Sequence, residues 1–92
     1  MAEIHVSKTD NETFEVTVKD GGTTTHTVTL SRKHYQQLTG GKVSEETLIE
    51  KSFEFLLERE SNRNILSRFD LPLIAHYFPE YEKTMGQRLQ PN

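Results

Sequence analysis

Four histidines, at positions 5, 26, 34 and 76, and a ladder of glutamates, Glu46, Glu50, Glu54 and Glu58, are the side chains of this chain with most chemistry in them. The histidines show no metal-ligand spacing, so three of them would have to converge through the tertiary fold to hold zinc. Cysteine is absent, which removes thiolate metal sites and disulfides. The glutamates recur every fourth residue and stack along one ridge of a helix, at a cost of a few tenths of a kcal/mol per like-charged pair, roughly. A hard cation needs oxygens converging from several elements, whereas one helix face diverges. With Lys51 and Arg59 near enough to soften the repulsion, the ridge reads as a solvated face. There is no G-x-S-x-G, no phosphate-binding glycine loop and no H-E-x-x-H; Gly21-Gly22 and Gly40-Gly41 are turn signals. The remaining route to catalysis would set His26 or His76 beside a glutamate in an apolar pocket. No catalytic residue, cofactor or metal is implied.

Such side chains need a scaffold, and 92 residues suit one small domain. Fourteen acidic against eleven basic residues give a formal charge of -3, without the broad cationic footprint that nucleic acid or an anionic membrane would require. No apolar run serves as a signal peptide or a membrane span, so a cytoplasmic protein is expected.

The first third reads as three strands. Ile4 and Val6, then Phe14, Val16 and Val18, then His26, Val28 and Leu30 alternate with polar neighbours. All these inward residues are even-numbered, so paired positions must sum to an even number and each hairpin loop must be odd. A Gly21-Gly22-Thr23 loop would pair Val18 with His26, Val16 with Val28 and Phe14 with Leu30. The other face carries Glu15, Thr17, Lys19, Thr25, Thr27 and Thr29, ordinary polar choices for a wet strand surface.

The rest reads as helices. Ser31 can cap a short helix from Arg32 to about Leu38, stopped at Thr39-Gly40-Gly41. Ser44, followed by Glu45 and Glu46, opens a longer helix to about Arg59 or Glu60. At about 100° per residue, Ile49, Phe53, Leu56 and Leu57 share one stripe while Leu48 and Phe55 lie on another. This two-faced helix should be central, with the sheet on one side and the C-terminal segment or another subunit on the other. Ile65, Leu66 and Phe69 suggest a helical turn, Asp70 a cap, and Pro72 the first turn of a short helix ending near Pro79. A last turn through Tyr81 to Met85 would complete a single α+β domain over residues 1–85, leaving 86–92 as a frayed tail. The expected architecture is a three-stranded antiparallel meander packed on a central helix, with short C-terminal helices.

Four of the eight aromatics fall between Phe69 and Tyr81, with Leu71, Leu73 and Ile74 among them. Apolar side chains would surround that helix nearly all round, so it must be core on two sides or core plus an interface. Leu73, Tyr77, Phe78 and Tyr81 are the candidate interface residues, with a weak homodimer as the simplest use of them.

Two resemblances bear on function. Strand Thr25–Leu30 followed by two helices resembles the ribbon-helix-helix repressors and antitoxins, which implies base reading by Thr25, Thr27 and Thr29 with Arg32 and Lys33 at phosphates. The acidic charge, the short first helix and the two extra strands depart from that pattern. Over residues 43–82, Ser52-Phe53-Glu54-Phe55-Leu56-Leu57-Glu58-Arg59-Glu60, Phe69-Asp70-Leu71 and Tyr77-Phe78-Pro79-Glu80-Tyr81-Glu82 resemble a family of small uncharacterised bacterial proteins. That likeness implies a bacterial cytoplasmic domain and no particular activity. The leading expectation is a non-enzymatic interaction or regulatory domain with an unidentified protein partner. The alternatives are the ribbon-helix-helix-like DNA binder and a small enzyme or ligand-binding domain.

Overall fold

A computed structural model describes residues 2–89 as an α+β domain with a four-stranded mixed sheet. Strands β1 (Glu3–Asp10), β2 (Thr13–Lys19) and β3 (Thr23–Thr29) form the antiparallel meander. Helices α1 (Arg32–Thr39) and α2 (Glu45–Leu57) follow, then a 3-10 turn at Asn62–Asn64. A fourth strand, β4 (Arg68–Asp70), pairs parallel to β3, and α3 (Leu73–Tyr77) and α4 (Tyr81–Arg88) close the chain.

The parity of the apolar residues sets the faces. Phe14, Val16, Val18 and Val28 are fully buried, and Glu15 and Thr25 on the opposite face are exposed. The register, however, differs from expectation by two residues: Val16 lies opposite His26 and Phe14 opposite Val28. Lys19 pairs with Thr23, so the loop is Asp20-Gly21-Gly22, with Gly21 at φ 71°. Parity demands an odd loop, but two registers separated by two residues satisfy it equally. The extended preference of Thr23 and the turn preference of Asp20 favour the register in which Thr23 joins β3 and Asp20 enters the loop.

Both expected serine caps are present. Ser31 Oγ accepts from the His34 amide (3.1 Å) and Ser44 Oγ from the Thr47 amide (3.0 Å), each satisfying an otherwise orphaned helix N–H. Gly40, left-handed at φ 63°, ends α1 by donating its N–H to Gln36 (2.8 Å). As its two stripes require, α2 is central. Phe53 meets the sheet side, with its ring centroid 5.4 Å from His26 and 6.0 Å from Phe69. Phe55 faces the C-terminal segment, edge-on to Tyr81 (5.3 Å) and Phe78 (5.9 Å).

Three expectations fail C-terminal to α2. Residues 65–69 form no helical turn: Arg68 and Asp70 point outward and Phe69 inward, the alternation of a strand, with Phe69 paired to Val28. Three residues are too few to display a period of two, and the spacing of Ile65, Leu66 and Phe69 suits a helix as well. Asp70 does not cap α3; its carboxylate accepts from Thr29 Oγ1 on β3 (2.6 Å), while Pro72 takes the cap position. Finally, α4 extends through Arg88 and Leu89 is buried, so the expected tail is structured up to that point. Residues 90–92 of that tail lie outside the described residues. Among the described residues, no helix is long and apolar enough to cross a membrane.

Candidate docking groove

Where the 61–73 segment returns to the sheet, it leaves an apolar groove of about 440 Å³ against α3 and the end of α2. Its floor consists of the buried Leu56, Ile65, Phe69 and Ile74. Leu73 and Phe78 are half-buried walls, and Leu66 and Tyr77 stand out as lips, 50% and 63% exposed. No other large apolar side chain among the described residues is exposed to that degree. The remaining lining is Glu60 and Asn64.

The lip is held from within the core. His26, 2% exposed, uses both ring nitrogens: Nδ1 lies 2.8 Å from the Leu66 carbonyl and Nε2 2.8 Å from Thr24 Oγ1. A carbonyl only accepts, so Nδ1 carries the proton and, in the neutral ring, Nε2 accepts from threonine. The histidine considered above for catalysis thus acts as a buried strut beneath Leu66. The Thr27 amide donates to Ser67 (2.7 Å) and the Leu71 amide to Thr29 (2.9 Å), extending the attachment to both sides. Asn62, also buried, donates Nδ2 to Gly22 (3.3 Å) and pins the loop that leads in. On the opposite wall, the Arg59 guanidinium lies 3.6 Å from the Phe55 ring centroid and Nε donates to Glu80 (3.1 Å), fixing the turn that carries Phe78.

Of the four residues expected at an interface, Tyr77, Leu73 and Phe78 line this groove. Tyr81 does not: it is fully buried, its hydroxyl 2.6 Å from Ser52 Oγ. Its neighbours in sequence are exposed, but one turn of α4 places it between α2 and the rest of the core. Leu66 and Glu60 were missed. Adjacent apolar residues in an extended segment point opposite ways, so with Ile65 buried Leu66 must project outward; reading the segment as helical hid this.

The glutamate ridge is a solvated face laced with ion pairs. Lys51 meets Glu54 at 3.5 Å, and Glu58 meets Arg59 at 3.3 Å and Arg88 at 2.8 Å. The Arg88 hydrogen bond foremost, aided by Arg59, holds the Glu58 carboxyl below the usual range. Among the described residues, no cluster of three His, Asp or Glu could hold a metal ion. His76 is exposed beside Tyr77 and is not among the residues that line the groove.

The outer face of the sheet does carry Thr25, Thr27 and Thr29, but β3 is paired on both edges, to β2 and β4. The strand that would serve as the ribbon is thus an inner strand of this sheet rather than a free edge. Thr27 is flanked by Glu15 and Arg68, and Thr29 by Asp70, giving mixed charge rather than a cationic surface. Arg32 reaches to 3.9 Å from Glu45, and Lys33 is exposed on α1.

No family model, curated protein or solved structure matches this chain. Its function is therefore argued from the groove itself.

One titratable group elsewhere has a measurable consequence. His34 on α1 is buried, and its Nε2 finds no partner among the described residues. Burial lowers its pKa, partly countered by Glu82 on α4 and Asp70 on β4. Below the ordinary histidine range the unfolded chain takes up the proton first, so stability present above pH ~6.5 is lost as pH falls. Urea midpoints should drop more between pH 7.5 and 5 for the wild type than for His34→Gln; parallel curves would place the loss elsewhere.

Proposed function

We propose that this protein is a non-enzymatic interaction domain that docks a short apolar segment of a partner protein in the Leu66–Tyr77 groove. The single observation carrying this reading is that the two exposed large apolar side chains among the described residues flank one concave apolar surface. The volume lies toward the small end of ligand pockets, room for a few side chains rather than a domain face. The lining holds one carboxylate, one amide and one phenol, with no base poised beside a nucleophile. A cytoplasmic setting accords with the absence of cysteine.

Selection of displayed peptides against the wild type and Tyr77→Asp tests this. The exposed Tyr77 can be replaced without disturbing the core, and loss of its ring from the lip should weaken any selected peptide at least tenfold, about 1.4 kcal/mol or more. Equal binding by both proteins would remove the groove from the interaction. A weak homodimer is the competing occupant; wild-type dimerisation in sedimentation, lost in Tyr77→Asp, would establish it instead.

A further inference from the structure

Three glutamates on or just beyond α2 are partly buried residues: Glu45, Glu54 and Glu60. Two have cations. Lys8 lies 3.0 Å from Glu45, with Arg32 beyond it, and Lys51 lies 3.5 Å from Glu54. Glu60 alone has no cation within 4 Å among the described residues, and Glu60 is the one that lines the apolar groove. A charge set beside apolar walls gains from a partner of opposite sign. Its position adds to the need: Glu60 follows the C-terminus of α2, its amide donating to Leu56 (2.9 Å), where the helix dipole disfavours an anion and favours a cation. Arg59, next in the chain, does not relieve it, being turned to Phe55 and Glu80.

We infer that the segment docked in the groove carries a lysine or arginine, whose charge sits at Glu60 while adjacent apolar side chains fill the space between Leu66 and Tyr77. The inference rests on the docking reading above and specifies its ligand: a basic-apolar peptide segment of a partner protein. Docking would supply the counter-charge that the fold supplies to Glu45 and Glu54 but not here. The base selects; the apolar anchors hold.

The same displayed library, twelve-residue random peptides, should be selected in parallel on wild type, Glu60→Lys and Leu66→Asp, each confirmed folded by circular dichroism. Wild type should enrich apolar residues together with Lys or Arg, and Glu60→Lys should enrich Asp or Glu at the same place. A synthetic peptide from the wild-type pool should bind Glu60→Gln about tenfold more weakly, as expected for loss of one charged contact. Apolar enrichment without charge preference, unchanged in Glu60→Lys, would overturn the basic requirement and leave groove docking standing. Enrichment identical on Leu66→Asp, or none on wild type, would overturn the docking reading and this inference with it.

Discussion

Phe53→Ala should cost about 3 to 5 kcal/mol. The ring is fully buried between α2 and the sheet, against His26 and Phe69, so its removal forfeits transfer energy and leaves a cavity that two strands and a helix must close. Native domains are stable by roughly 5 to 15 kcal/mol, so this is a large share of the total. In a domain of this size each kcal/mol shifts the melting temperature by about 4 to 8 °C, and thermal unfolding should move down by more than about 10 °C. A variant melting within a few degrees of wild type would show that the α2–sheet contact is not the centre of the core.

Alkaline unfolding should be the second large effect, and it should depend on Tyr81. Desolvation, partly offset by the Ser52 hydrogen bond, pushes the Tyr81 hydroxyl up to about 12. Ser52 has one hydrogen and can give it to the Leu48 carbonyl (2.7 Å), so Tyr81 donates to Ser52 and must remain protonated for the contact to persist. Between pH ~10 and ~12 the unfolded chain loses this proton while the native state keeps it. The stability is complete below pH ~10 and declines as pH rises toward the folded pKa, by roughly 2 to 3 kcal/mol at about 1.4 kcal/mol per unit. Tyr81→Phe should be less stable by about 1 kcal/mol at neutral pH, from the lost hydrogen bond, and should lack that part of the alkaline decline. Urea midpoints from pH 9 to 12 measure both; parallel curves for the two proteins would show that Tyr81 does not titrate in the fold.

Much of the scaffold was legible because its signals are local. Ser31 and Ser44 declare their helices through side chains that satisfy the first orphaned amides, and the even-numbered apolar residues declare one face of the meander. What parity cannot resolve is a displacement by two, which is why the faces were right and the pairing of Val16 was not. Elements that depend on distant partners were invisible. Arg68–Asp70 is a strand because Thr27, Val28 and Thr29 wait beside it, and Asp70 caps no helix because Thr29 claims its carboxylate. Arg88 is held in α4 with Glu58 thirty residues earlier.

The groove was half legible. Tyr77 and Phe78 were singled out because apolar side chains ringed their segment, whereas Tyr81, of the same type and nearby, proved to be core once α4 turned it inward. Leu66 and Glu60 gave no local signal: one is a lip only because Ile65 points in, and the other stands out only because no cation among the described residues lies within 4 Å of it. His26 shows the same limit from the other side. Its type suggested chemistry, and its burial under Leu66 makes it a support.

The most direct test of groove docking is the footprint of a selected basic-apolar peptide on the isotopically labelled protein, read as amide chemical-shift changes during titration. Docking predicts that the largest changes cluster at Glu60, Leu66, Leu73, Tyr77 and Phe78, while Thr25 and Thr27 on the outer sheet stay unmoved. Changes centred on the threonine face, or spread evenly over the domain, would contradict it.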